Sequence, residues 1–246
     1  MEKTTVVLLM VFFALFTSDG GAHYKISALE GAWEMEMPPS ESDGVRTVMT
    51  IQSPYVFITT FDVEERKFYS SQGGMIEILG NFVLYTVEFN TSEPDEIGTQ
   101  YEITTEIKGN KLMSTLSEKG DDQTVTYTRI DSGNSDLAGA WRITDRMRDG
   151  QMQAMRLGSR KTIKMITGSR FQWAAYDPDS KRFSGTGGGT IKIDNGKYAE
   201  HIEFFSRNAD RVGATLTFDY EVDGDRWIHS GKSSSGNSIK EIWTKQ

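Results

Sequence analysis

Near the C-terminus, Trp227-Ile-His229-Ser-Gly-Lys232 places an indole, an imidazole and an ammonium within six residues. Successive side chains of a strand face opposite sides. Trp227 and His229 therefore share one face, and Ile228, Ser230 and Lys232 the other. An imidazole beside an indole offers a ligand a hydrogen bond next to a flat apolar surface. The plainer reading is a histidine at a strand end bonded to a neighbour, and both readings stand at this stage. Glu88 and Glu203 are each followed by Phe. A carboxylate there either faces solvent or, if buried, needs a cation; Arg170, Arg207, Arg211 and Lys232 are the candidates for Glu203. Aromatic residues gather around these positions, some to build a core and some able to line a cavity mouth. The expected ligand-binding residues are Trp173, Tyr198, Glu203, Tyr220, Trp227, His229 and Lys232.

Other chemistries find little footing. His23, His201 and His229 show no paired ligand spacing, and with no cysteine the thiol ligands of zinc sites are absent, so no metal is expected. Gly185 and Gly187 to Gly189 suggest a phosphate loop, but no Lys-Ser/Thr follows. Glycine there reads better as a bulge or tight barrel corner. Ser233 to Ser235 lie near His229 without the surroundings of an activated nucleophile. No catalytic residue and no cofactor is expected.

The elements that must position these residues are strands. "YVFITTF" and "TLTFDYEV" alternate with period two, and turn signals such as Lys108-Gly109-Asn110, Asp194-Asn195-Gly196 and Asp223-Gly224-Asp225 recur about every 8 to 12 residues. The chain is also written twice. "LEGAW" at 29–33 returns as "LAGAW" at 137–141, and sliding the chain by 115 aligns 56–117 with 171–232 without a gap. Asp62 meets Asp177, Gly73-Gly74 meets Gly188-Gly189, and Glu88-Phe89 meets Glu203-Phe204. This is an old duplication. The extra segment of the second copy, RMRDGQMQAMRLGSR, reads as an elongated hairpin or a lid. About eight strands per copy fit either a closed barrel or a sandwich, and successive hairpins favour the barrel.

The expected fold class is therefore all-β, two tandem antiparallel barrels of about eight strands each. The expected boundaries are a signal peptide at 1–22, a first barrel at 23–130, a linker at 131–136 and a second barrel at 137–246. The signal-peptide reading rests on Lys3 and the apolar run from Val6 to Phe16, which is too short to span a membrane. Export without cysteine leaves stability to packing and removes the lipid-anchored cysteine of a lipoprotein, so a secreted or periplasmic product is expected. A net charge of −8, with basic residues scattered among acidic ones, argues against nucleic acid as a partner.

Gly31-Ala32-Trp33 and Gly139-Ala140-Trp141, each opening a meander, resemble the start of the lipocalin and wider calycin superfamily, in which the Trp closes the barrel floor. The second copy resembles lipocalin-like domains of secreted proteins from Bacteroidota. The resembling blocks are FQWAAYDPDSKRFSGTGGG (171–189), KYAEHIEFFSRNADRVGATLTFDYEVDGDRWIHSGKSSSG (197–236) and IKEIW (239–243). The first copy departs from them, with Leu112, Ser114 and Ser117 where the second has Trp227, His229 and Lys232. The resemblance implies architecture and no settled activity. With the residues above, it leads to the expectation of a non-enzymatic secreted protein that binds a small hydrophobic or amphipathic molecule, chiefly in the second barrel. Two alternatives are kept: an isomerase- or cyclase-type enzyme using His229 and Glu203 as an acid/base pair, and an interaction module with filled barrels that meets a protein partner at the cell surface.

Overall fold

The computed structural model describes residues 26–38, 44–118 and 121–246. The signal-peptide reading of residues 1–22 lies outside them. The described chain forms two closed eight-stranded antiparallel barrels in tandem. The first comprises β1 (Gly31–Met35), β2 (Val45–Gln52), β3 (Tyr55–Asp62), β4 (Lys67–Leu79), β5 (Phe82–Asn90), β6 (Gln100–Lys108), β7 (Lys111–Glu118) and β8 (Asp121–Asp131). The second comprises β9 (Gly139–Arg148), β11 (Lys161–Ile166), β12 (Arg170–Asp177), β13 (Arg182–Asp194), β14 (Lys197–Phe205), β15 (Thr215–Asp223), β16 (Arg226–Lys232) and β17 (Ser238–Lys245). Each strand pairs with the next, and β8 and β17 return to β1 and β9. The extra segment of the second copy folds back on β9 as β10 (Gln151–Ala154), a hairpin arm beyond the barrel wall.

Alternation sets what each strand buries. Along β3, Val56 and Ile58 enter the first barrel, while Tyr55, Phe57 and Phe61 point outward into apolar contact with the second. Along β12, Phe171 and Trp173 enter the second barrel, and Ala174 and Tyr176 point outward against the first. Strands covered on both faces carry nearly continuous apolar runs, and these two do.

The duplication extends to irregular details. β3 to β6 and β12 to β15 correspond at an offset of 115. Register shifts fall at Thr60/Phe61 and Ala175/Tyr176, and again at Gly73/Gly74 and Gly188/Gly189. At the second pair glycine is required, because a Cβ on Gly74 would lie 1.9 Å from the Thr86 carbonyl oxygen and one on Gly189 2.0 Å from that of His201. The paired Gly-Ala-Trp openings also match. Trp33 Nε1 donates to the Leu29 carbonyl at 2.9 Å and Trp141 Nε1 to that of Leu137 at 2.8 Å. Both indoles are buried, with the Arg129 guanidinium over the first and the Lys245 ammonium over the second.

The contact between barrels is reciprocal. Lys161 Nζ reaches Glu88 at 2.6 Å, and Arg46, its equivalent in the first copy, reaches Glu203 at 3.8 Å. Phe61 packs on Phe204 at 4.7 Å between ring centroids, as Tyr176 packs on Phe89 at 4.8 Å. Such two-way pairing is how a twofold interface is built. Asp131 fixes one end of it: its carboxylate accepts hydrogen bonds from the Thr167 and Ser169 hydroxyls and from the Gly168 and Ser169 amides.

Candidate functional site

The second barrel encloses a cavity of about 640 Å³. Phe171 and Trp173 of β12 and Phe205 of β14 give it an aromatic wall, with Trp173 and Phe205 edge to face at 5.6 Å. Gly187 lets these rings pack directly on the backbone: a Cβ there would sit 2.8 Å from the Phe205 ring and 3.0 Å from Trp173 Nε1. Arg146, Met147 and Met155, from β9 and the segment after β10, complete the lining beside Arg160 and Arg207.

Deep in the cavity lies a chain of polar groups. Lys164 on β11 is fixed inward by alternation, since Lys161, Ile163 and Met165 face the first barrel. Its ammonium bonds Glu200 of β14 at 2.7 Å, with both side chains only 6% exposed. The rings of Phe171, Tyr198, Phe218, Trp227 and Trp243 surround it at 5.3 to 6.0 Å, which compensates a buried cation. Burial, then the charges of Glu200 and Glu241, hold the Tyr198 hydroxyl well above the ordinary phenol range. That hydroxyl also bonds Glu200 and lies 3.2 Å from His229 Nδ1.

Proton assignment follows from these contacts. Burial, then the Lys164 charge, push the His229 pKa well below 6.5, so the ring is neutral. Nδ1 pairs with the Tyr198 hydroxyl, which leaves Nε2 as the ring nitrogen without a bonded neighbour. That Nε2 is buried without a hydrogen-bond partner, 3.7 Å from Glu241 Oε2. Glu241 is itself held by Arg146 at 2.9 Å and by Trp243 Nε1 at 3.3 Å. The unpartnered nitrogen and the carboxylate thus face each other just beyond hydrogen-bond distance.

The structure distributes the expected ligand-binding residues unevenly. Trp173 and His229 line the cavity. Tyr198 and Trp227 are fully buried among the rings around Lys164, with Trp227 Nε1 also lacking a partner. Tyr220 packs edge to face on Tyr198 at 6.2 Å, away from the cavity lining. Lys232 is exposed at the end of β16. Glu203 is on the outer wall, bonded to Arg170 and facing Arg46 of the first barrel; it follows Ile202, which lines the cavity, and so points the other way. Glu88 is its mirror there, accepting from Lys161 and from the Tyr176 hydroxyl at 2.7 Å. The acid/base pair brought together inside the barrel is His229 with Glu241, not His229 with Glu203. Lys164, Glu200, Glu241, Arg146 and Arg160 were not among the expected site residues, and Arg207 was read only as a partner for Glu203.

The first barrel holds a cavity of about 390 Å³ with different chemistry. At the offset of 115, Met49 stands for Lys164, Tyr85 for Glu200, Ile58 for Trp173 and Ser114 for His229. Its walls are Ile51, Val56, Ile76, Val83, Ile103 and Leu112, with the Tyr85 hydroxyl buried and unpartnered. Burial pushes the Tyr127 phenol up to about 12.

Fold and cavities together define a tandem two-barrel protein, with one apolar interior and one charged, aromatic interior. No family model matches the chain, and no curated protein matches it. Among solved structures it is similar to the uncharacterized protein YLR301w from Saccharomyces cerevisiae, at 10% identity and a TM-score of 0.45, over 86% of this chain and 96% of that one. Among the described residues no helix is long and apolar enough to cross a membrane, and no group of three or more metal-ligating residues is assembled.

Proposed function

We propose that the protein is an exported, lipocalin-like binder of a small amphipathic molecule, taken up by the cavity of the second barrel. The observation that carries this reading is the His229 imidazole, 2% exposed, with an unpartnered Nε2 in a cavity walled by Trp173 and Phe205. A buried polar atom left unpaired costs about 1–3 kcal/mol, and a ligand group that pairs it recovers that cost. The cavity volume lies in the range of about 300–1,000 Å³ usual for small-molecule sites. The Gly-Ala-Trp openings and the second-copy blocks support the lipocalin-like assignment, and the apolar run 6–16 supports export.

Native mass spectrometry of the protein purified from its own source tests the binding. A discrete small molecule should leave on denaturation, and a His229→Ala/Trp173→Ala variant should retain less of it. A bare chain mass, unchanged after incubation with lipid, sugar and aromatic libraries, overturns the reading. Export is tested by N-terminal sequencing: a mature chain starting at His23 agrees, one starting at Met1 does not.

A second reading has its own support. The first barrel's aliphatic walls suit an alkyl or isoprenoid group, and a co-purified hydrocarbon lost from a Val56→Trp variant, in which an indole would fill that interior, would place a ligand there as well.

A further inference from the structure

Building on the second-barrel cavity as the binding site, we infer that its ligand is a small aromatic acid with a hydrogen-bond donor at the end opposite its acid group. Four cations line the cavity, Arg146, Arg160, Lys164 and Arg207, against two carboxylates, Glu200 and Glu241. The deep cations are spoken for: Lys164 by Glu200 and Arg146 by Glu241. Arg160 and Arg207 have no carboxylate partner among the described residues. In a chain of net charge −8, a surplus of two guanidinium groups at one cavity selects anions and repels cations.

Arg207 also sets where the rest of the ligand lies. Its guanidinium is 5.5 Å over the Trp173 ring, so an acid group bound to it leaves the attached ring against the Trp173–Phe205 wall. At the deep end the unpartnered His229 Nε2 and the Glu241 carboxylate lie 3.7 Å apart. A ligand hydroxyl there donates to the carboxylate and pairs with the ring nitrogen, whereas a group without a donor leaves the carboxylate facing only lone pairs. Anion outside, ring between and donor inside together describe a hydroxylated or amino-substituted aromatic acid. A carboxylate and a phosphate or sulfate share the outer chemistry, and comparison of the acids separates them.

Isothermal titration calorimetry with the intact mature chain tests this, using para-hydroxyphenylpropanoate, phenylpropanoate, the methyl ester of the first, and para-hydroxyphenyl phosphate. Each missing interaction should weaken binding about tenfold or more, for the des-hydroxy acid and for the neutral ester alike. Tighter binding of the phosphate than of the carboxylate would assign the acid group to phosphate. In an Arg160→Gln/Arg207→Gln variant the acid and its ester should bind equally; both arginines are exposed, so folding is spared. In His229→Phe the hydroxyl should lose its advantage. If the ester binds as tightly as the acid and the arginine variant changes nothing, this inference is overturned while amphipathic binding stands. If none of the four binds and native mass spectrometry also gives a bare chain, the binding reading falls with it.

Discussion

A buried base and a half-buried acid show opposite pH signatures, and the sign of each identifies what holds it. His229 is neutral in the folded protein because burial, then Lys164, depress its pKa below 6.5. An unfolded chain protonates this ring near 6.5. As pH falls below that value the unfolded state takes up a proton that the folded state refuses, and stability declines until the depressed folded pKa is reached. Urea midpoints measured downward from pH 6.5 should therefore fall for the wild type and fall less for His229→Gln. Equal slopes would mean that the ring is charged in the fold. Asp131 behaves the other way. Burial acts to raise its pKa, but hydrogen bonds from the Ser169 and Thr167 hydroxyls and the Gly133 and Gly168 amides outweigh it, so the pKa is lowered. Its contribution is present above its unfolded pKa of about 3.9 and is lost as pH falls through the depressed folded value. Asp131→Asn should cost about 1–3 kcal/mol at neutral pH, with the difference from wild type vanishing in acid. A difference independent of pH would assign the loss to packing.

At the scale of the strand, alternation made Trp227 and His229 legible as inward neighbours, because β16 is buried chiefly on one face. It failed for Lys164 and Glu203. Both faces of β11 and of the last residues of β14 are covered, one by the barrel interior and one by the other barrel. In "KTIKMI" the two lysines look alike, yet Lys161 crosses to Glu88 and Lys164 turns inward to Glu200. Nothing in the local pattern separates them, since the deciding partners are some 36 and 73 positions away. The glycines were easier to read. Gly73-Gly74 and Gly188-Gly189 recur because each second glycine lets a neighbouring carbonyl come nearer than any side chain allows. Gly74→Ala should therefore destabilise by about 1–3 kcal/mol or more, the cost of overpacking against backbone that cannot rotate away. A chemical-denaturation midpoint within error of wild type would show that β4 can shift to accept the methyl group.

For the whole molecule the duplication was legible at an offset of 115, but the way the two copies join was not. The structure joins them through a shared core. Phe57 and Phe89 of the first barrel are fully buried with Ile163, Met165, Ala174 and Tyr176 of the second. Gln172, whose first-copy equivalent is Phe57, donates to Thr59 at 2.7 Å and to Ser71 at 3.2 Å across the same surface. An interface built like a domain interior couples the stabilities of its halves, whereas a wet and polar one leaves them free. The two barrels should therefore exchange their slowest amides with one common opening free energy, read by hydrogen-exchange mass spectrometry on peptides from β5 and β14. Phe57→Ala removes a buried ring from the seam and should cost about 3–5 kcal/mol, and the first- and second-barrel peptides should then open separately. Binding in the second cavity supplies the complementary test, because a ligand that stabilises one half of a coupled pair must protect the other. Added ligand should slow exchange in β5 as well as β14 in the wild type and in β14 alone in Phe57→Ala. Protection confined to β14 in both proteins would make the seam a passive contact and the first barrel an independent unit.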